Sequence, residues 1–147
     1  MNPLTLGHLR IFLHIIAGCV WLGGQITLAA IVPVLRRTAP SDTTRAVAQQ
    51  FQKVAWPAFA VLVVTGIWNL GEVSIGNQSS QYIVTLFIKL LCVAVSGIGA
   101  GIHALVLGPN AALGPAERAH RSKMLSGIAA GVGLIFGIGA ALLGVML

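Results

Sequence analysis

Four long and nearly uncharged apolar stretches constrain this chain more than any other feature of its sequence. They cover residues 11–35, 54–71, 82–107 and 126–147. Each is near or above the roughly 20 residues that an α-helix needs to cross a bilayer core. Strands of a membrane β-barrel would alternate polar and apolar residues, and these stretches do not. We therefore predict an all-α fold, an integral membrane four-helix bundle.

The composition supports one membrane domain covering residues 1–147, in contact with the lipid bilayer. Hydrophobic residues make up 56% of the chain and charged residues 8%, which is more apolar surface than a soluble domain buries. The first stretch ends in Arg36 and Arg37 instead of a cleavage site, so we expect it to be retained. The predicted helices cover about residues 9–36, 53–72, 81–108 and 122–147.

The loop charges predict the orientation. Residues 36–53 hold four basic side chains against Asp42, and residues 108–125 hold three against Glu117. Both loops should face the cytoplasm, which places both termini outside, N-out and C-out. Because the basic residues cluster beside membrane spans, the net charge of +6 does not indicate a nucleic-acid partner. Residues 39–51 are predicted to start a short amphipathic helix with Ser41 or Asp42 as its cap.

Lys89 is the only Lys, Arg, Asp or Glu inside the four stretches. An ammonium in hydrocarbon costs on the order of 3 kcal/mol, so a partner, a cavity or a path to the headgroups must offset it. His14 lies about 6 Å below Arg10 along helix one, and Lys89 about 10 Å below Tyr82 along helix three. We therefore expect His14 and Lys89 to share the outer leaflet.

Polar residues also recur at helical spacing on three helices. On helix one the stripe contains His14, Gly18, Trp21 and Gln25. On helix three one face contains Lys89, Cys92, Ser96 and His103. A weaker stripe on helix two contains Thr65, Trp68 and Glu72, and Glu72 is a candidate partner for Lys89.

These residues suggest a cofactor or metal site between helices one and three. The imidazole of His14 suits copper or the iron of haem b, and the ammonium of Lys89 suits a haem propionate or another acidic group. The ring of Trp21 would form a wall of the site. The structural alternatives are an interhelical hydrogen bond for His14 and a Lys89 side chain that extends to the headgroups.

His103 and His120 lie toward the cytoplasmic side, where both could be solvated, and a second metal or haem site there stays open. Cys19 and Cys92 are soft copper ligands. The chain has no C-x-x-C and only three Met, whereas a dedicated Cu(I) site would be expected to show more sulfur.

Glycine pairs on helices three and four predict close helix packing, within the chain or in a homo-oligomer. The pairs are Gly97 with Gly101, Gly127 with Gly131, and Gly133 with Gly137. Trp56 and Trp68 are predicted to lie near the two ends of helix two as interface anchors.

Three segments resemble the copper-resistance D family of bacterial membrane proteins. LHIIAGCVWLGGQITLAAIVP, with His14 and Trp21, resembles the first helix of that family. WPAFAVLVVTGIWNL looks like its second helix, with a T-G near the outer end, and LFIKLLCVAVSGIG resembles its Lys-bearing helix. The resemblance implies a multi-pass protein of the bacterial inner membrane that handles copper or binds haem b.

The same pattern is similar to the HemJ-type protoporphyrinogen oxidases, in which a first-helix histidine and a third-helix lysine are the functional pair. His14 and Lys89 match those positions. That resemblance implies haem b and a haem-dependent oxidoreductase that passes electrons to quinone. This chain lacks the L-P-R segment after VWLGG, and its His103 lies farther from Lys89 than in that enzyme. A cofactor-free accessory subunit of a membrane redox complex is the third alternative.

Overall fold

The computed structural model describes residues 5–107 and 116–147, with side chains for residues 5–104 and 124–147. Within these ranges it contains four long helices and no strand. They are α1 (Leu6–Thr38), α2 (Ser41–Gly71), α3 (Ser80–Leu107) and α4 (Ala116–Val145), with a short 3₁₀ turn at Ile75–Asn77. Each contains a segment long and apolar enough to cross a membrane, which confirms the predicted all-α membrane fold.

The first helix contains a π-helical segment, Cys19–Gly23, between two α-helical parts. The hydrophobic pattern of the sequence did not predict this segment. Such segments are rare and are frequently found at functional sites. Here the segment contains Trp21, one of the predicted site residues.

The second helix begins at Ser41, well before the predicted start of the span at residue 53. The helix predicted to start in residues 39–51 is present, but it is not short, because it continues into the spanning segment, and its N-cap is Pro40 instead of Ser41 or Asp42. The helix is continuous because no Gly or Pro interrupts the chain between the N-cap and the predicted start of the span. The 31 residues of α2 extend for about 46 Å, longer than the hydrocarbon core of about 30 Å. Trp56 therefore lies in the middle of α2, and the prediction that it lies near an end is wrong.

The chain divides into two compact units, Met1–Gln78 and Ser79–Leu147. Each unit is an antiparallel pair of helices, hairpin one being α1 with α2 and hairpin two α3 with α4. The last hydrogen bond of α1 runs from the Ala39 amide to the Leu35 carbonyl at 2.8 Å. Ala39 itself is extended, so the helix ends there, just before the turn of hairpin one. Large apolar side chains such as Phe87 and Ile135 are mostly exposed, which fits contact with lipid.

Glycine brings the helices of hairpin two close together. A Cβ added at Gly99 would lie 2.7 Å from the Ala129 carbonyl oxygen and 3.1 Å from the Gly133 Cα. In contrast, Gly127 and Gly131 have no atom within 4 Å of an added Cβ among the described residues. Close packing within the chain is thus present, but it uses Gly133 with Gly99, a pair that was not predicted from the sequence, and not the pair Gly127 and Gly131. A homo-oligomer through α3 and α4 stays a prediction.

Candidate functional site

His14 packs against α2 in the first hairpin. Its Nδ1 lies 2.9 Å from the hydroxyl oxygen of Thr65. A Cβ added at Gly66 would lie 3.4 Å from His14 Cε1, so the absence of a side chain there leaves room for the ring. The interhelical hydrogen bond predicted as an alternative for His14 is therefore present. Its partner is the Thr of the T-G pair noted in the sequence, and the Gly of that pair makes room for the ring.

The hydrogen bonds of Thr65 determine the tautomer of His14. The Thr65 hydroxyl donates to the Val61 carbonyl at 2.7 Å, which is its shortest contact. A hydroxyl has one proton to donate, so it accepts a hydrogen bond from the Nδ1–H of His14. The lone pair of the imidazole then lies on Nε2. Histidines that bind metals are commonly held in this way, with the other ring N–H donated to a neighbouring oxygen.

An ion pair lies one helical turn from His14, toward the N-terminus of α1. Arg10 Nη1 is 3.1 Å from Glu72 Oε1, and the guanidinium lies 5.8 Å from the centre of the Trp68 ring. The Arg10 side chain is only 12% exposed, whereas that of Glu72 is 60% exposed. Glu72, which the sequence suggested as a partner for Lys89, thus forms its ion pair with Arg10.

Gly18 and Trp21 of the helix-one stripe also face α2. A Cβ added at Gly18 would lie 3.6 Å from Leu62 Cδ1. Trp21 is 4% exposed, with its ring centre 4.3 Å from that of Phe59 and 5.8 Å from that of Trp56. Trp21 is therefore the centre of an aromatic cluster.

This packing does not fit haem b in hairpin one. The Trp21 ring, predicted as a wall of the site, is covered by protein side chains. A groove of about 480 Å³ opens in this hairpin, but His14 is not among its lining residues. The groove is lined by Val20, Gly24, Val47, Gln50, Phe51 and Val54.

Lys89 lies in hairpin two, against the C-terminal end of α4. A Cβ added at Gly144 would lie 3.2 Å from Lys89 Nζ, and α4 ends at Val145. The last carbonyls of a helix have no intrahelical partner and form the negative end of the helix dipole. The end of α4 therefore offers the ammonium a favourable electrostatic environment, which the sequence did not predict.

The other residues of the helix-three face also lie against α4, so they share one face of α3 as predicted, whereas their packing against the fourth helix was not predicted. The Sγ of Cys92 would be 3.8 Å from a Cβ added at Gly139, and the Ser96 carbonyl oxygen would be 3.2 Å from one added at Gly133. Near the turn of the hairpin, His103 Nδ1 lies 3.0 Å from the Ser126 carbonyl oxygen and 2.7 Å from its hydroxyl oxygen. The side chain of His120, the other residue of the predicted second site, lies outside the described residues.

Neither hairpin forms a complete metal-binding cluster. Over residues 5–104 and 124–147, no group of three or more His, Cys, Asp or Glu side chains is placed to hold a metal ion. Cys19 is exposed and Cys92 is buried. His14 and Lys89 belong to different units, so a shared site of these two residues stays a prediction.

The comparisons with known proteins identify a family. The family model for copper resistance protein D matches residues 45–147, more than half of the chain. The match includes the Lys-bearing helix and also the fourth helix, and it begins after α1. The search of curated proteins and the search of solved structures each found no match. The resemblance to HemJ-type oxidases stays a prediction. The chain belongs to the copper resistance protein D family.

Proposed function

We propose that this protein handles copper in the bacterial inner membrane and that His14 contacts the ion through Nε2 in the outer leaflet. The observation that carries the proposal is the hydrogen bond of 2.9 Å between His14 Nδ1 and the Thr65 hydroxyl. This bond holds the ring in the tautomer with its lone pair on Nε2, the nitrogen that would meet the metal. The family match supports copper as the ion.

Copper is the cargo in this proposal. Imidazole nitrogen is a good ligand for copper, but a single imidazole holds an ion weakly. Weak binding suits passage better than storage, and the part of the chain that the structure describes offers no cluster of three ligands. Water, or the molecule that delivers the ion, would complete the coordination.

The ion pair beside His14 makes the approach of a cation easier. An unpaired guanidinium about 6 Å from His14 along the helix would repel a copper ion. The carboxylate of Glu72, 3.1 Å from Arg10, offsets that charge. Because Glu72 is largely exposed, it also presents negative charge toward the solvent.

The experiment measures Cu(I) binding by the purified full chain, by competition with a chromophoric chelator under anaerobic conditions. The variant is His14→Asn, because the Asn amide replaces Nδ1–H and keeps the hydrogen bond to Thr65 while Nε2 is lost. We expect the affinity at this position to fall at least tenfold. Unchanged binding in His14→Asn would overturn the proposal and would favour the accessory-subunit alternative.

His8→Asn is the matched control on the same helix. His8 is exposed, and its Nδ1 accepts a hydrogen bond from the Thr5 amide at 3.2 Å, so it has the opposite tautomer from His14. We expect it to bind copper as the unaltered chain does. A spectrum of the dithionite-reduced protein tests the haem alternative in the same preparation. A haem b band there would contradict copper handling and support an oxidoreductase.

A further inference from the structure

Hairpin two holds a second membrane imidazole in an equally defined orientation. His103 Nδ1 is 3.0 Å from the backbone carbonyl oxygen of Ser126. A carbonyl oxygen only accepts hydrogen bonds, so Nδ1 carries the proton and the lone pair lies on Nε2. The Ser126 hydroxyl oxygen, 2.7 Å from the same nitrogen, provides a second oxygen at this position. The nearby carbonyl acceptor therefore favours the tautomer with the proton on Nδ1.

The scaffold around this imidazole is rigid. Ser126 has no exposed surface, and Ser96, two turns away on α3, is 1% exposed. Between them Gly99 packs against the backbone of α4 without room for a side chain. Positions held by closely packed backbones keep a ligand in a defined geometry. His103 itself is half-buried.

We infer that His103 is a second copper-contact position, which takes the ion through Nε2 while Ser126 holds Nδ1–H. This inference rests on the proposed function, because it assigns the same cargo to the second hairpin. His103 lies near the turn end of hairpin two, four residues before the end of α3. On the predicted topology this is the cytoplasmic side, whereas His14 lies in the outer leaflet.

Among the residues whose side chains the structure describes, Lys89 is the charged residue that shares α3 with His103. Lys89, the only ionisable Lys, Arg, Asp or Glu of the apolar stretch, lies 14 residues away along α3, about 21 Å at 1.5 Å per residue. Its ammonium lies at the opposite end of the hairpin, beside Gly144. Repulsion between Lys89 and an ion at His103 is therefore weak.

The test counts Cu(I) equivalents bound by the full chain and by His14→Asn, His103→Asn and the double variant. Asn at position 103 keeps an N–H donor for Ser126 and lacks Nε2, so the hairpin should stay folded. We expect each single variant to bind one equivalent fewer than the unaltered chain and the double variant to bind two fewer, while any copper held by Cys19 or Cys92 is the same in all four. As many equivalents in His103→Asn as in the unaltered chain would overturn the inference and leave the proposed function standing. If His103→Asn loses one Cu(I) equivalent and His14→Asn loses none, the proposed function is overturned.

A second measurement separates a ligand from a residue that only stabilises the helices. Nitrogen-15 NMR of the imidazoles reports which ring nitrogen is protonated, and Cu(I) is diamagnetic. On adding Cu(I), the Nε2 signal of His103 should shift while the Nδ1–H signal remains. Ser126→Ala removes the hydroxyl but keeps the carbonyl acceptor, so we expect the affinity at His103 to fall about tenfold. An Nε2 signal that does not move with Cu(I) would contradict the inference.

Discussion

The two hairpins of this protein achieve a similar polar arrangement with different packing. Hairpin one is held by large rings, with Trp21 between Phe59 and Trp56. In hairpin two the helix backbones pack closely because Gly99 and Gly133 have no side chains. Each nevertheless presents a histidine whose Nδ1–H is bound to an oxygen of a hydroxyl residue on the facing helix. The comparison teaches that the orientation of an imidazole depends on one well-placed acceptor and tolerates very different surroundings.

The hairpins also differ in how they accommodate a positive charge. In hairpin one the guanidinium of Arg10 pairs with the carboxylate of Glu72. In hairpin two the ammonium of Lys89 lies beside Gly144 near the C-terminal end of α4, where the helix dipole is negative. A paired side chain can be neutralised by one substitution, whereas a helix end cannot. A single substitution at Glu72 can therefore leave the guanidinium of Arg10 without its counter-charge in hairpin one.

The largest expected effect is on the glycine packing of hairpin two. Gly99→Ala places a Cβ 2.7 Å from the Ala129 carbonyl, and a backbone carbonyl cannot move without separating the helices. We expect the free energy of unfolding to fall by about 3 kcal/mol, measured by SDS titration of the purified protein in detergent. The control is Gly131→Ala on α4, where an added Cβ meets no described atom within 4 Å. Equal free energies of unfolding for Gly99→Ala and Gly131→Ala would show that close glycine packing does not hold hairpin two together.

The next effect concerns the aromatic cluster of hairpin one. Trp21→Ala removes two ring contacts, each of which contributes about 0.5–1.5 kcal/mol. We expect a loss of about 2 kcal/mol in the same SDS titration. Phe12→Ala, at an exposed position of the same helix, is the control and should change stability little. A larger loss for Phe12→Ala than for Trp21→Ala would show that the cluster is not the core of hairpin one.

The smallest expected effect concerns the ion pair of Arg10 with Glu72 and the Cu(I) affinity at His14. Glu72→Gln leaves Arg10 unpaired near His14, so we expect Cu(I) to bind there about fivefold more weakly, a change of about 1 kcal/mol. Arg10→Gln leaves the carboxylate alone and should strengthen binding by a similar factor. Neither change should affect the equivalent assigned to His103. Chelator competition measures both, and changes of the same sign in the two variants would contradict the electrostatic explanation.

Several of these features could be predicted from residue spacing. The intervals among His14, Gly18, Trp21 and Gln25 predicted one stripe of α1, and the contacts with Thr65, Leu62 and Phe59 lie along it. The face of α3 with Lys89 and His103 was predicted in the same way. The reason is that the helical repeat depends only on the local chain. The early start of α2 was missed, because a polar first segment has no apolar signal although nothing in it breaks a helix.

The sequence by itself determined the class of protein, the number of spanning helices and the residues that share each face. Those properties follow from apolar length and from the helical repeat, which are local. Only the tertiary structure decided that Thr65 and Ser126 hold the two imidazoles, that Glu72 pairs with Arg10, and that the end of α4 receives Lys89. These partners lie far apart along the chain, and the register of two packed helices decides which of them meet. That register depends on how Trp21 packs against α2 in hairpin one and how Gly99 packs against α4 in hairpin two. Packing between helices cannot be read from a local sequence pattern.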